Sequence, residues 1–376
     1  MSDLPTGIRK HSSRQGYEVR IRYKDPQTGE SKRASAYCKN LVEAKKKLRE
    51  MQNRLDSSQS PVDRSVNLGD WSSYWQRELL PMSGLKPNTI DLYGGLLLTH
   101  LMASSLASQK MSDIRPVHIT KFMHELAASK GQSLQRNVFV VLKHLFRSAQ
   151  ENGIVSSTPL ASLAPPRKAK QNVRFISEHE LDQLLEKLSD SRYLPVVELI
   201  LQTGLRRGEA LGLAWEDVDL DKKVLQVRFT LDSKGRRGEP KTSRSVRMID
   251  LNSKALNLLR QLRVKQTQDR LRLGEVYNAD SWNPVFRGSS GAAMSAREFL
   301  RAVQRAAKRA GLDTYDSKES VGIHTLRHYV ASKLLESGVE MYVVSRILGH
   351  ESIKTTVDIY GHLQDNQRRA ALDLLS

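Results

Sequence analysis

The sequence predicts a multidomain, mainly α chain with small β-sheets. It reads as a three-stranded sheet plus helix, then an all-helical domain, then a mixed α+β domain. Three observations lead there. The 376 residues exceed one ordinary domain of ~100–200 residues, and 39% are hydrophobic, so several cores can form. Strand-like alternation is confined to residues near 17–37 and 224–251, while apolar residues at helical spacing fill most of the rest. Two breaks, DSSQSP at 56–61 and APPRKAK at 164–170, part the chain into segments 1–57, 65–163 and 173–376.

From Tyr17 to Tyr23 the residues alternate. Tyr17, Val19, Ile21 and Tyr23 lie on one strand face, and Glu18, Arg20 and Arg22 on the other. DPQTG at 25–29 is a turn into a second strand over 31–37, and residues 7–10 supply an earlier third strand. Asn40 with Glu43 opens a helix that runs through Leu41, Ala44, Leu48, Met51 and Leu55. In the middle segment Leu68, Trp71, Trp75 and Leu79 form one apolar stripe, and both tryptophans read as core. PNTI at 87–90 opens a second helix, and Pro116 another with Ile119, Phe122, Met123 and Leu126. Val138, Leu142, Leu145 and Phe146 mark a further one. APPRKAK is a stiff basic linker suited to crossing a phosphate backbone. Ser177 with Glu180 starts the next helix, carrying Leu181, Leu184, Leu185 and Leu188. Residues 224–231 and 244–251 read as strands flanking a Gly-rich turn at 233–238. The remainder is mostly helical, with GSSG at 288–291 as a loop.

Charge narrows the partner. Sixty Lys and Arg against 41 Asp and Glu give a net +19, which calls for a polyanion. No apolar run approaches the ~20 residues of a membrane helix, and the N-terminus lacks the apolar core of a signal peptide, so no membrane partner is expected. Nucleic acid remains. Residues 1–60 alone hold 14 Lys and Arg against 7 Asp and Glu. A thin sheet with a charged face is a shape that enters a major groove. Cys38 is the single cysteine, which excludes an intramolecular disulfide and a cysteine-rich zinc site and fits a reducing cytoplasm.

Six residues carry a specific chemistry: Arg206, Lys241, His324, Arg327, His350 and Tyr360. Breaking a phosphodiester raises charge on its equatorial oxygens, and planar, permanently charged guanidiniums answer this best. Arg206 and Arg327 fit that part, each at ~3–4 kcal/mol by analogy with an oxyanion donor. A phenol with a pKa near ~10 needs a proton acceptor or a cationic setting, which His324 or a neighbour supplies. Lys241 suits protonation of the leaving 5′-oxygen, and His350 donation to a phosphate oxygen. Neither a metal nor another cofactor is required. Gly204 allows a tight approach just before Arg206, and Glu209, one helical turn on, steadies its guanidinium. His324 and Arg327 lie three apart on one helix.

These phrases resemble the motif boxes of the tyrosine recombinases, and the whole chain resembles phage integrases of the lambda type. TGLRRGEALGL at 203–213 is similar to the first arginine box, and PKTSRSVRMIDL at 240–251 to the hairpin carrying the family's lysine. HTLRHYVAS at 324–332 resembles the second arginine box, and LGHESIKTTVDIYGH at 348–362 the box with the nucleophile. The likeness covers residues 173–362. Segment 67–163 is similar to the family's core-site DNA-binding domain and 1–57, more weakly, to its arm-site domain. Tyr329 stands where many relatives have threonine. The resemblance implies a catalytic set of Arg206, Lys241, His324, Arg327 and His350 around Tyr360. It implies cutting and rejoining of double-stranded DNA at core and arm attachment sites through a 3′-phosphotyrosyl link. It also implies a homotetramer on DNA, a host DNA-bending factor, an excision factor, and a tail at 363–376 that docks on a neighbouring protomer.

Lys234 lies near Lys241, but Thr242, Ser243 and Arg247 follow Lys241 in the family pattern. His324 and His328 have the spacing of a zinc helix, yet Thr325 replaces the glutamate such a motif needs. His328 reads as a packing or orienting residue, and His362 as packing near the nucleophile. Among 11 tyrosines, Tyr329 and Tyr342 read as core or secondary contacts, leaving Tyr360. The alternative functions are a conjugative-element or chromosome-resolution recombinase, a type IB topoisomerase, and a non-catalytic DNA-binding relative.

Overall fold

A computed structural model describes residues 4–11, 15–24, 31–56, 66–168, 173–240, 245–277, 282–312 and 321–361. The turn at 25–29, Lys241, His362 and the tail at 363–376 lie outside the described residues. The chain forms two compact units, Met1–Lys170 and Gln171–Ser376.

The first unit begins with an antiparallel sheet of β1 (Ile8–Lys10), β2 (Tyr17–Lys24) and β3 (Ser31–Cys38), in that order. Helix α1 (Leu41–Asp56) follows, started by Asn40 accepting from the Glu43 amide at 2.8 Å. Ile8, Val19, Cys38, Ala44 and Leu48 form its small core, so the apolar face of β2 turns inward as the alternation requires. On the opposite face the Glu18 carboxylate accepts from Arg9 at 3.0 Å and Arg20 at 2.8 Å. A second core sharing no residue with the first joins α2 (Leu68–Tyr74), α3 (Pro87–Leu96), α4 (Pro116–Ala127) and α5 (Gln132–Glu151). Trp71 and Trp75 are buried in it, and the Trp71 indole N–H donates to the Leu145 carbonyl at 3.2 Å. The apolar stripe shifts by one at its end. A π-helical turn over Trp75–Leu79 inserts an extra residue, so Leu80 is fully buried and Leu79 only half-buried.

The second unit opens with α6 (Glu178–Glu186), where Ser177 and Glu180 exchange the two hydrogen bonds of a capping box. Next come α7 (Leu194–Thr203) and the short α8 (Arg207–Leu211). The strands differ from the expected pair. β5 (Val224–Val227) lies between β4 (Val218–Asp219) and β8 (Arg247–Asp250) in one three-stranded sheet, while β6 (Thr230–Leu231) and β7 (Arg237–Gly238) make a separate hairpin. That hairpin lies flush on α8: a Cβ on Gly212 would stand 2.9 Å from the backbone of Thr230 and Leu231. Arg237 pins it, with its guanidinium 3.9 Å from the Phe229 ring centre and 4.5 Å from that of Trp282. The remaining helices are α9 (Ser253–Leu273), α10 (Ala296–Arg309), α11 (Ile323–Glu336), α12 (Met341–Leu348) and α13 (Ile353–Tyr360). Tyr342 is exposed on α12, against the expectation of a core or secondary contact, because Val344 and Leu348 form the buried face of that helix.

Candidate active site

The site is built at two helix ends that stop on left-handed glycines. Gly204 ends α7 at φ +66°, its amide bonding back to Ile200. Gly349 ends α12 at φ +64°, with the Gly349 and His350 amides bonding back to Arg346 and Ser345 in a Schellman motif. Helix C-termini leave carbonyls without internal donors and carry partial negative charge. Guanidiniums fill this need. Arg327, on α11, donates to the Gly204 carbonyl at 2.7 Å and to the Leu348 carbonyl. Arg206 donates to the Gly349 carbonyl at 2.9 Å, and Arg247, from β8, to the Ile347 carbonyl at 2.8 Å. The close fit explains both glycines. A Cβ on Gly204 would lie 2.8 Å from Leu348, and one on Gly349 would lie 2.9 Å from the Arg247 guanidinium.

Glu209 gathers these cations. Its carboxylate accepts from Arg206 Nη1 at 2.7 Å, from the Arg206 amide at 2.9 Å and from Arg247 Nη2 at 3.0 Å, and it stands 4.0 Å from Arg327. Glu209 is 2% exposed. Burial alone would raise its pKa, but Arg247, Arg206 and Arg327 outweigh it and hold the carboxyl at about 2. Arg327, 5% exposed, is pushed down to about 9 by burial and by Arg206, against the pull of Glu209, and still carries its charge at neutral pH. Arg206 keeps a third of its side chain open to solvent.

His350 follows Gly349, and its Nδ1 lies 2.8 Å from the Thr356 hydroxyl. Burial and the cations Arg327 and Arg206 lower its pKa to about 3, so the ring is neutral at pH 7. The tautomer in which Nδ1 accepts from the Thr356 hydroxyl carries its ring proton on Nε2 and can donate there. His324 lies one turn before Arg327 on α11. It is exposed, and partial desolvation with Arg327, Arg207 and Arg206 nearby lowers its pKa. Tyr360 ends α13 and is 1% exposed, with its phenol 2.6 Å from His328 Nδ1 and its pKa raised to about 12 by burial, partly offset by Arg327.

The structure thus gathers Arg206, Arg327 and His350 at the end of α12, with His324 and Tyr360 on the flanking helices. It adds Arg247, Thr356 and the His328–Tyr360 contact. Arg247 stands in the sequence only as part of the pattern after Lys241, and its contacts with Ile347 and Glu209 join distant elements; Thr356 lies six residues from its partner His350. Among the described residues, no three His, Cys, Asp or Glu side chains gather as a metal site would need, and no helix is long and apolar enough to cross a membrane.

Residues 174–367 match the phage integrase family. A tyrosine recombinase XerC-like protein of Caldanaerobacter subterraneus subsp. tengcongensis is 29% identical over 380 residues, covering 96% of this chain and 95% of that protein. The Tn1549 transposon integrase in complex with a circular intermediate DNA superposes with a TM-score of 0.64 at 18% identity, over 81% of this chain and 99% of that one. A lambda integrase tetramer bound to a Holliday junction gives a TM-score of 0.58 at 18% identity, over 96% and 97%.

Proposed function

Because this chain belongs to the phage integrase family and is a site-specific tyrosine recombinase, a DNA strand transferase, we propose that Tyr360 is its nucleophile. The phenolic oxygen attacks the scissile phosphate, leaving a 3′-phosphotyrosyl link and a free 5′-hydroxyl. The hydroxyl of a partner duplex then attacks that link and joins the strands. One observation carries this reading: Arg206 and Arg327 converge on carbonyls 204, 348 and 349 around a buried Glu209, with His350 directly after Gly349 and held by Thr356. Arg206 and Arg327 hold the non-bridging oxygens, where guanidinium forks match developing charge. His350 donates from Nε2 to one of them. Lys241, which follows the Arg237 hairpin in sequence, protonates the leaving 5′-oxygen, and His324 serves proton transfer beside Arg327. The ester bond energy is retained, so the reaction needs neither ATP nor metal.

The assembly is proposed at the same level. Segment 173–376 is the catalytic domain, 65–163 binds core sites, and 1–57 binds arm sites through the charged face of β2. The two unconnected cores of the first unit support that division. Four protomers exchange strands in two rounds through a four-way junction, and the lambda integrase tetramer on a Holliday junction supports this stoichiometry. A host DNA-bending factor and an excision factor assist. The chain works in the cytoplasm on a phage or mobile-element genome.

The test compares joining of two defined attachment sites with relaxation of a supercoiled plasmid, each with and without a chelator. Site-dependent joining that survives the chelator is expected. Relaxation without joining would assign a type IB topoisomerase instead, and loss of joining with the chelator would remove the metal-free mechanism.

A further inference from the structure

The phenol of Tyr360 has a partner that the catalytic set leaves out. Helix α11 carries His324, Arg327 and His328, and His328 contacts Tyr360 on α13. Its Nδ1 lies 2.6 Å from the Tyr360 hydroxyl, and among the described residues this is the phenol's hydrogen-bond partner. The two rings stand 5.7 Å apart, and the Phe175 ring packs edge-on against both, at 6.3 Å from His328 and 6.1 Å from Tyr360. Around them Ala331, Leu335, Val344 and Leu348 are buried. A 1% exposed side chain walled by apolar groups has few ways to orient its one polar atom.

The protonation states show that neither partner is charged. Burial, with His324 and Arg327 nearby, holds His328 at about 4, and burial holds the phenol at about 12. Near pH 7 the imidazole is neutral and the phenol protonated. We assign the hydroxyl as donor and Nδ1 as acceptor, the tautomer that carries the ring proton on Nε2. An imidazole held so low does not draw the proton off so weak an acid, so the contact directs the oxygen without activating it.

We propose that His328 is the positioning residue of the nucleophile, fixing through its Nδ1 the direction in which the Tyr360 oxygen points. The proposal rests on the reading of Tyr360 as nucleophile. It deepens that reading by assigning the alignment of attack to a side chain outside the catalytic set.

Two substitutions separate positioning from packing. His328→Phe keeps a ring beside Phe175 and removes the acceptor. His328→Asn restores an acceptor near the Nδ1 position and removes the ring. Single-turnover covalent-complex formation on a nicked suicide duplex is measured beside site affinity and thermal stability. His328→Phe should slow covalent-complex formation by about 100-fold, the usual cost of a misplaced reacting atom, with affinity within about twofold. His328→Asn should recover to within about tenfold of the parent rate. A phenylalanine variant as fast as the parent, or a folded asparagine variant as slow as the phenylalanine one, overturns the proposal. If His328→Phe does not fold, His328→Asn decides alone: a rate within tenfold supports positioning, and collapse of the rate with the fold intact defeats it. Tyr360→Phe runs alongside. A covalent complex that survives it removes the nucleophile reading itself, a failure distinct from any result at His328.

Discussion

Glu209 shows how one buried carboxylate organises a site made of cations. Arg206, Arg247 and Arg327 repel one another, and their approach is favourable because a single carboxylate sits among them. Removing one partner of a buried ion cluster costs about 3–5 kcal/mol. Glu209→Gln should therefore lower the melting temperature on the order of 10 °C. It should also slow covalent-complex formation, because the guanidiniums lose their common anchor. Calorimetry and single-turnover cleavage read the two effects, and an unchanged melting temperature would show that the carbonyls at the α12 terminus suffice. Residue identity is the most legible layer of the sequence. Arg206, Arg327, His350 and Tyr360, the proposed site residues, stand in short phrases that single them out, and Glu209 lies one helical turn from Arg206, which marks it as the partner. Arg247 enters only as part of a pattern. Its bonds to Ile347 and Glu209 join positions about a hundred and about forty apart in sequence, which no local spacing encodes.

At the scale of elements, two left-handed helix ends do the aligning. Gly349→Ala places a Cβ against the Arg247 guanidinium and forces an L residue to φ +64°. The backbone strain costs about 1–2 kcal/mol, and displacement of Arg247 should slow cleavage by about 10- to 100-fold. Gly338→Ala supplies the control. Gly338 has φ +83° and open space around the position a Cβ would take, with nothing within 4 Å, so it carries the strain without the collision. Both variants should melt earlier, and only Gly349→Ala should lose cleavage. Equal cleavage in the two would refute the role given to the α12 terminus. Helix starts are legible because capping is local: Asn40 with Glu43 and Ser177 with Glu180 form the caps their spacing predicts. Shifts of register are not. The π-helical turn that buries Leu80 in place of Leu79, the division of residues 224–251 between a sheet and a separate hairpin, and the exposure of Tyr342 all depend on tertiary packing.

At the scale of the whole molecule, the desolvated histidines bias stability toward neutral pH. His328 and His350 titrate at about 4 and about 3 when folded, below the ordinary 6.5, and His324 and His144 are lowered too. The unfolded chain then binds more protons than the folded one. The contribution of these histidines is complete above pH 6.5 and is lost as pH drops through 6.5 toward 4 and 3. Glu209 continues the loss from 4.5 toward 2, while Glu198, raised by burial, opposes it. Melting temperature measured from pH 8 to pH 4 should fall steadily below about 6.5. A flat profile would mean that these imidazoles remain solvated. The net +19 acts at this scale as well, and DNA affinity should fall steeply as salt rises.

In the proposed reaction the Tyr360 oxygen holds the DNA backbone bond between cleavage and joining. The most direct measurement digests the trapped protein–DNA complex with protease and locates the modified side chain by mass spectrometry. The expected product is a strand joined through its 3′-phosphate to the peptide containing Tyr360, and none in Tyr360→Phe. An adduct on any other side chain, or one that persists in Tyr360→Phe, would contradict the account.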